Sequence, residues 1–327
     1  MVQLQKITRS RYYTRLAYVP AVFLLLWFVS TVQLSERLGP TSQCEPAERE
    51  PATQCPRAYS GREAADPFDD GKFLLELAKI HRKAYARAYP FKHIIFDDFV
   101  PHGVLRSVLG EIQNKSSSLL VTKVVASSKK SATRLEQEQF HTIGKSTGRF
   151  FDYLNSDIFK RFLEELSCVH NLLDDPAITG AGVSSIDYGG FLNIHADFNR
   201  EPNKSPGWRR LNLLLYLNDA WEESFGGSLE LWKTNMAHED FHYVGKILPV
   251  FNRAVIFSTT DISMHGHMDL IVEGKSRLTL STYYYTNERE DALISSEPHT
   301  TIYPSHFFGT QSFTRWKDVV PSCPLIA

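Results

Sequence analysis

The chain has 327 residues, is 43% apolar and 22% charged, and carries a formal net charge of −1. So even a balance gives no global electrostatic case for nucleic acid as a partner, and the length allows one large domain or two small ones. Its four cysteines, Cys44, Cys55, Cys168 and Cys323, form no CxxC pair, which leaves zinc-finger, thioredoxin and disulfide-scaffold readings without support. Cys44 and Cys55 are close enough in sequence to bridge in an oxidising lumen, with four free thiols as the equal alternative.

In chain order, Lys6, Arg9, Arg11 and Arg15 come first, and no acidic residue precedes Glu36. Ala17–Leu34, AYVPAVFLLLWFVSTVQL, holds no charge and has about the length needed to cross a hydrocarbon core as a helix. Basic residues before such a span keep the N-terminus cytoplasmic. We therefore expect a cytoplasmic tail over 1–16, a transmembrane signal anchor over 17–34 and the rest of the chain on the lumenal side, as in a single-pass type II membrane protein. The alternative is a secreted protein after signal cleavage, although no A-x-A-like site follows the apolar run. Asn114-Lys115-Ser116 is an N-glycosylation acceptor sequence that a eukaryotic lumen can use.

Residues 35–70 are rich in Glu, Pro, Arg and Ala, which predicts a stalk. One domain is expected over 71–327. Its front half reads as helical. Phe73–Ala88 has an apolar helical stripe, His93–Phe96 a short strand, and Pro101 opens a helix to about Ile112. Ser131–Val169 is expected to be helical in two or three pieces. After Pro176 short β-type runs succeed one another: AGVSSIDY, FLNIHADF, RLNLLLYLN, GGSLELWK, VGKILPVF, AVIFSTT and SRLTLSTYYYT. Runs of this kind without intervening helices predict a sandwich, jelly roll or barrel. The fold class is thus mainly β with flanking helices.

Within FLNIHADF, His195 and Asp197 are two apart, and residues two apart on a strand share a face. Imidazole and carboxylate together suit a divalent metal, and a second histidine completes a 2-His-1-carboxylate set with open positions. By itself H-x-D is a weak signal; His238-Glu239-Asp240 repeats it in a polar stretch that reads as a solvated loop. His265 and His267, in DISMHGHMDL, are both candidates for the third ligand. Arg277 and Thr279 share a face of a later strand, and a guanidinium beside a hydroxyl makes a carboxylate clamp. A buried ion pair within the protein is the competing use for Arg277. Tyr216 and Tyr188 are placed to touch the same anion, or to serve as plain core tyrosines. Gly189, Gly190, Gly226 and Gly227 suit turns or close backbone approach.

These pieces run in a set order: H-x-D, R-x-x-N-x-L-x-Y-L-N, GG-x-L-x-L-W, NRAVIFSTTD-x-S-x-HGH, then R-x-T-x-S-x-YYYT. The series resembles the iron(II)- and 2-oxoglutarate-dependent dioxygenases of the prolyl 4-hydroxylase type, over roughly Tyr89 to Tyr303. The resemblance implies a double-stranded β-helix, or jelly roll. It implies iron(II) on His195, Asp197 and His265, the last because the family writes S-x-H there. It further implies 2-oxoglutarate held by Arg277, with Tyr216 beside it, dioxygen as co-substrate and ascorbate as reductant; Thr279 and Tyr188 are the further candidates for that cosubstrate by their positions. Arginine at 277, where collagen-type prolyl hydroxylases usually have lysine, points away from that subgroup. The expected partner is a peptide or glycan substrate, with a peptidyl proline as the family default. A non-catalytic glycan- or peptide-binding jelly roll, a hydroxylase of a glycan or lipid-linked sugar, and a metal-dependent isomerase or hydrolase without 2-oxoglutarate are the rivals.

Overall fold

Eleven strands share one continuous antiparallel ladder in the computed structural model, in the order β1-β9-β6-β11-β4-β3-β5-β10-β7-β8, with β2 paired to β3. The structure describes residues 55–59, 68, 70–119, 122–125, 128–134, 137–200, 206–289 and 297–304. The expected tail and anchor, residues 1–34, lie outside these. Among the described residues no helix is long and apolar enough to cross a membrane.

The front half is α1 (Gly71–Arg87), β1 (His93–Phe96), α2 (His102–Leu119), β2 (Thr122–Val125), β3 (Ser128–Arg134), α3 (Gln137–Ile143), α4 (Lys145–Leu154) and α5 (Asp157–Ser167). Local chemistry sets several ends. The Asp70 carboxylate accepts from Phe73 N at the start of α1, and the Ser156 hydroxyl accepts from Phe159 N at the start of α5. Both satisfy a backbone donor that the first turn leaves open. α5 closes on Cys168 in the left-handed region, at φ 57°.

Two expectations need correction here. Ser131–Arg134, expected to begin a helical stretch, belongs to β3, which pairs with both β4 and β5. The run SKKSATR has neither a helical nor an alternating apolar pattern, so hydrogen bonding to its neighbours decides its state. In addition, part of the expected stalk belongs to the domain. Asp97 N donates to Pro56 O, Ala58 N to Asp97 O and Tyr59 N to Asp98 O, and Ala58 and Tyr59 are buried in the main core.

The back half comprises β4 (Gly182–Ile186), β5 (Phe191–His195), β6 (Trp208–Tyr216), β7 (Leu229–Lys233), β8 (His242–Ile247), β9 (Ala254–Ser258), β10 (Met264–His267) and β11 (Arg277–Thr286). Alternation along these strands sorts side chains into two layers. Leu211, Leu213 and Leu215 of β6, Ala254 and Ile256 of β9 and Leu280 of β11 join the helices in the main core. Tyr216, Val255 and Phe257 face the other way and pack with Leu229 and Leu231 of β7. The ladder therefore folds over on itself. Helices back one half, and the two halves meet around an inner layer.

Asn252 stitches this arrangement together. It is buried, at φ 65°, and asparagine tolerates that left-handed conformation better than most residues. Its side chain accepts from Val100 N at 2.9 Å and donates to Val100 O at 2.7 Å, while its own N–H donates to Tyr216 O. Asn252→Ala strands two buried backbone groups, so the unfolding midpoint in denaturant should fall by the equivalent of about 3 kcal/mol; an unchanged midpoint would remove Asn252 from this role.

Candidate metal and anion site

His195 ends β5, and His265 is its direct cross-strand partner on β10. Asp197 follows two residues later, where Ala196 still bridges to Ile302. One donor atom from each of His195, Asp197 and His265 lies within 4.8 Å of the other two, and all three residues are buried. His195 Nε2 is 3.6 Å from Asp197 Oδ1, and His265 Nε2 is 3.9 Å from Asp197 Oδ2.

Both imidazoles are oriented in the same way. His195 Nδ1 lies 2.8 Å from Asn193 O and His265 Nδ1 lies 2.9 Å from Ser263 O. A carbonyl only accepts, so Nδ1 carries the proton and the Nε2 lone pair faces Asp197. That is the tautomer a metal-binding histidine uses, with its other nitrogen held by a backbone carbonyl. Burial, with the field of His195 added, lowers the His265 pKa to about 4, so the ring stays neutral. Burial on its own raises the Asp197 pKa. Contacts with His195 and His265 and the charge of Arg209 outweigh it, and the carboxyl sits well below the usual carboxylate range. Two neutral nitrogens and one carboxylate oxygen on a shared face suit iron(II) and leave further coordination positions open.

His267, the alternative third ligand, is buried on the same short strand. It pairs with Leu192 rather than with Asn193, because the register slips between His265 and His267. A bulge re-aims the side chains on either side of it, and His267 is not in the cluster.

Two further residues support Asp197. Asn212 Nδ2 donates to Asp197 Oδ2 at 3.0 Å. Arg209 NH1 is 3.7 Å from Asp197 Oδ1, and its guanidinium is held between Phe198 and Tyr283, 3.5 and 3.6 Å from the ring centroids. Sequence reading missed both roles. Asn212 stands in the quoted R-x-x-N-x-L-x-Y run, four residues before Tyr216 and so on its face of β6, and that spacing was the available signal.

The anion-binding candidates lie on β11 and β6. Thr279 is the cross-strand partner of Tyr216. Arg277 NH1 donates to Thr279 Oγ1 at 3.0 Å and Nε donates to Gly227 O at 2.7 Å, and the guanidinium carbon is 5.0 Å from the centre of the Tyr216 ring. Gly227 sits at φ +67°, and a Cβ there would meet Arg277 Cδ at 2.8 Å; only glycine lets the guanidinium pass. Burial raises the Tyr216 pKa, so the phenol is neutral beside the cation. Tyr188 does not join them: it is 61% exposed, on the turn after β4.

Three buried arginines make an instructive comparison. Arg253 pairs with Asp97 and Arg209 with Asp197. Among the described residues no carboxylate is in ion-pair reach of Arg277, whose field comes from burial and from Tyr216. The inner layer connects this group to the triad, since Tyr216 packs with Phe257, and the Phe257 ring stands edge-on to His265 at 4.7 Å.

Residues 181–285 match the family model described as the 2OG-Fe(II) oxygenase superfamily. Prolyl 3-hydroxylase OGFOD1 of Mus musculus is 31% identical over 77 residues, which is 24% of this chain and 14% of that protein. The Xenopus laevis protein of the same name is also 31% identical over 77 residues, 24% of this chain and 15% of its own. The chain thus spans about a seventh of the length of these curated relatives. Among solved structures, a Pseudomonas putida prolyl-4-hydroxylase is 16% identical with a TM-score of 0.48, covering 64% of this chain and 100% of the other. A Phytophthora capsici prolyl 4-hydroxylase is 18% identical with a TM-score of 0.47, covering 70% and 69%.

Metal binding separates the candidate ligands. His265→Ala should abolish measurable iron(II) binding in anaerobic titration calorimetry, and His267→Ala should leave it intact. Asn212→Ala should weaken it by about tenfold. Equal losses in the two histidine variants would undo the ligand choice.

Proposed function

We propose that this chain, which carries a 2OG-Fe(II) oxygenase domain over residues 181–285, is an iron(II)- and 2-oxoglutarate-dependent hydroxylase of a peptidyl proline. The observation that carries the reading is that, among the described residues, no carboxylate is in ion-pair reach of the buried Arg277, whose neighbour Tyr216 packs with Phe257 and so with His265 of the cluster. A buried guanidinium is costly unless an anion meets it. A metal-binding jelly roll that made no use of an anionic cosubstrate would have no need of it.

The family implies iron(II), 2-oxoglutarate and dioxygen. Together these supply the oxidative decarboxylation of 2-oxoglutarate to succinate and carbon dioxide, coupled to hydroxylation of a C–H bond. The protein's share is positioning. His195, Asp197 and His265 would hold the metal through two Nε2 atoms and a carboxylate oxygen. Asn212 and Arg209 keep that carboxylate ionised and oriented. Arg277, with Thr279 and the neutral Tyr216 phenol, would take the distal carboxylate of 2-oxoglutarate by charge-assisted hydrogen bonds. The apolar walls from Leu229, Leu231, Val255 and Phe257 limit water there.

The choice of a prolyl substrate rests on the two curated relatives, both named prolyl 3-hydroxylases. Ascorbate is carried along as the reductant of this type of enzyme. A jelly roll is the finer form of the fold that this reading adopts. For location we propose the type II topology, with residues 17–34 as anchor and the domain in an oxidising lumen. Disulfide bonding at Cys55 and at Cys168 supports that compartment over the cytosol. Asn114 is exposed, as a glycan acceptor must be.

The decisive assay is succinate formation with iron(II) and 2-oxoglutarate. His195→Ala should abolish it. Arg277→Ala should raise the KM for 2-oxoglutarate about 100-fold, the effect of losing a buried charge-assisted contact worth about 3 kcal/mol. Intact turnover in the histidine variant would end the oxygenase assignment. In mammalian cells Asn114→Gln should remove a glycosidase-sensitive mass shift, and no shift in the wild type would argue against the lumenal placement.

A further inference from the structure

A short C-terminal segment, Glu297–Tyr303, crosses the end of β5 beside the metal ligands. It is fastened at four points. Asn199, itself buried, donates from Nδ2 to Glu297 O at 3.0 Å and accepts from His299 N at 2.9 Å. Ala196 and Ile302 exchange two backbone hydrogen bonds. Ile302 packs with Ile194, Ala196, Trp232 and Met264 on the outer side of β5 and β10. Residues alternate sides on such an extended segment. Accordingly the next side chain, Tyr303, lies against His195, with ring centroids 5.4 Å apart and planes at 32°. Tyr303 is half-buried whereas His195 is buried, so the tyrosine stands on the solvent side of the ligand.

The fourth fastening is His299. Its Nε2 lies 2.9 Å from Asp261 Oδ1 and its Nδ1 lies 2.7 Å from Thr300 O. Both partners are acceptors only, so the ring meets both when it carries two protons. Asp261 is buried, its backbone carbonyl takes His238 Nε2 at 2.8 Å, and Arg289 adds an opposing charge. Against burial and Arg289, which disfavour the imidazolium, Asp261 and the Thr300 carbonyl prevail and the pKa of His299 is raised. The fastening is then complete below the ordinary histidine range and is lost as pH rises through the raised value.

We propose that Glu297–Tyr303 is a strap that forms the solvent-side wall of the metal centre, with Tyr303 screening the metal at His195 and His299, as an imidazolium, positioning Tyr303. The identity of the metal and its use rest on the oxygenase reading; the strap and its fastening do not.

Two measurements on the full chain test this without turnover. The first is hydrogen exchange over residues 297–303. After correction for intrinsic rates, exchange should speed up by about tenfold from pH ~6 to pH ~9 as one hydrogen bond of a charged group is lost. His299→Gln, whose amide still donates to Asp261 but does not titrate, should be flat across that range. A flat wild type, or a parallel rise in the variant, overturns the role of His299. The second loads the chain with manganese(II) and reads water-proton relaxation. Tyr303→Ala should increase it, and Tyr303→Phe, which keeps the ring, should not. No change in the alanine variant overturns the screening role. Failure of the wild type to bind manganese(II) would instead count against the metal site itself and leave the exchange result to judge the strap.

Discussion

The structure turns on a single cross-strand register. His195 stands opposite His265, and this places two imidazoles and, two residues on, a carboxylate in one buried space. Three polar side chains inside an apolar interior are tolerable only if each is satisfied. Backbone carbonyls take both Nδ1 protons, and Asn212 and Arg209 serve the carboxylate. What remains unmet is the pair of Nε2 lone pairs and the outward side of Asp197, which is the form a metal completes. Shift either strand by one residue and its own ligand side chains would turn to the opposite face, away from their partners.

Arg277 poses the complementary problem. The triad is a set of electron-pair donors, and among the described residues the neighbouring guanidinium meets no anion. Tyr216 cannot supply it, because burial keeps the phenol protonated. A cation and a dianion bound together would settle both imbalances, so the two halves of the site are electrostatically interdependent even though they sit on different strands. That coupling is a stronger argument for a metal with an anionic cosubstrate than either cluster alone.

Much of this was legible in the chain before its structure. The R-L-N-L-L-L-Y run of β6 alternates so that Leu211, Leu213 and Leu215 face the helices while Asn212 and Tyr216 face the inner layer. R-L-T-L does the same on β11. Period-two patterning therefore carried Arg277, Thr279 and Tyr216 to one place. The choice between His265 and His267 was not readable from spacing, since a bulge decides it and M-H-G-H carries no mark of a slipped register. Tyr188 was read as a neighbour of the clamp on proximity in sequence, yet the turn at Gly189 and Gly190 leaves it exposed. Arg209 and Tyr303 escaped notice because each meets the site through tertiary packing and not through strand alternation.

β3 is the least conspicuous strand and the one least evident from sequence. It lies between β4 and β5, so β11 and β5 are three ladder steps apart on this side, each about 4.8 Å. The separation between clamp strand and ligand strand is thus counted in whole strands. Evolution can trim loops on either side of β3 without altering it, but cannot tune it by a fraction of an ångström. Any finer adjustment of the distance between Arg277 and the ligands falls to side-chain reach, while the backbone gauge stays constant.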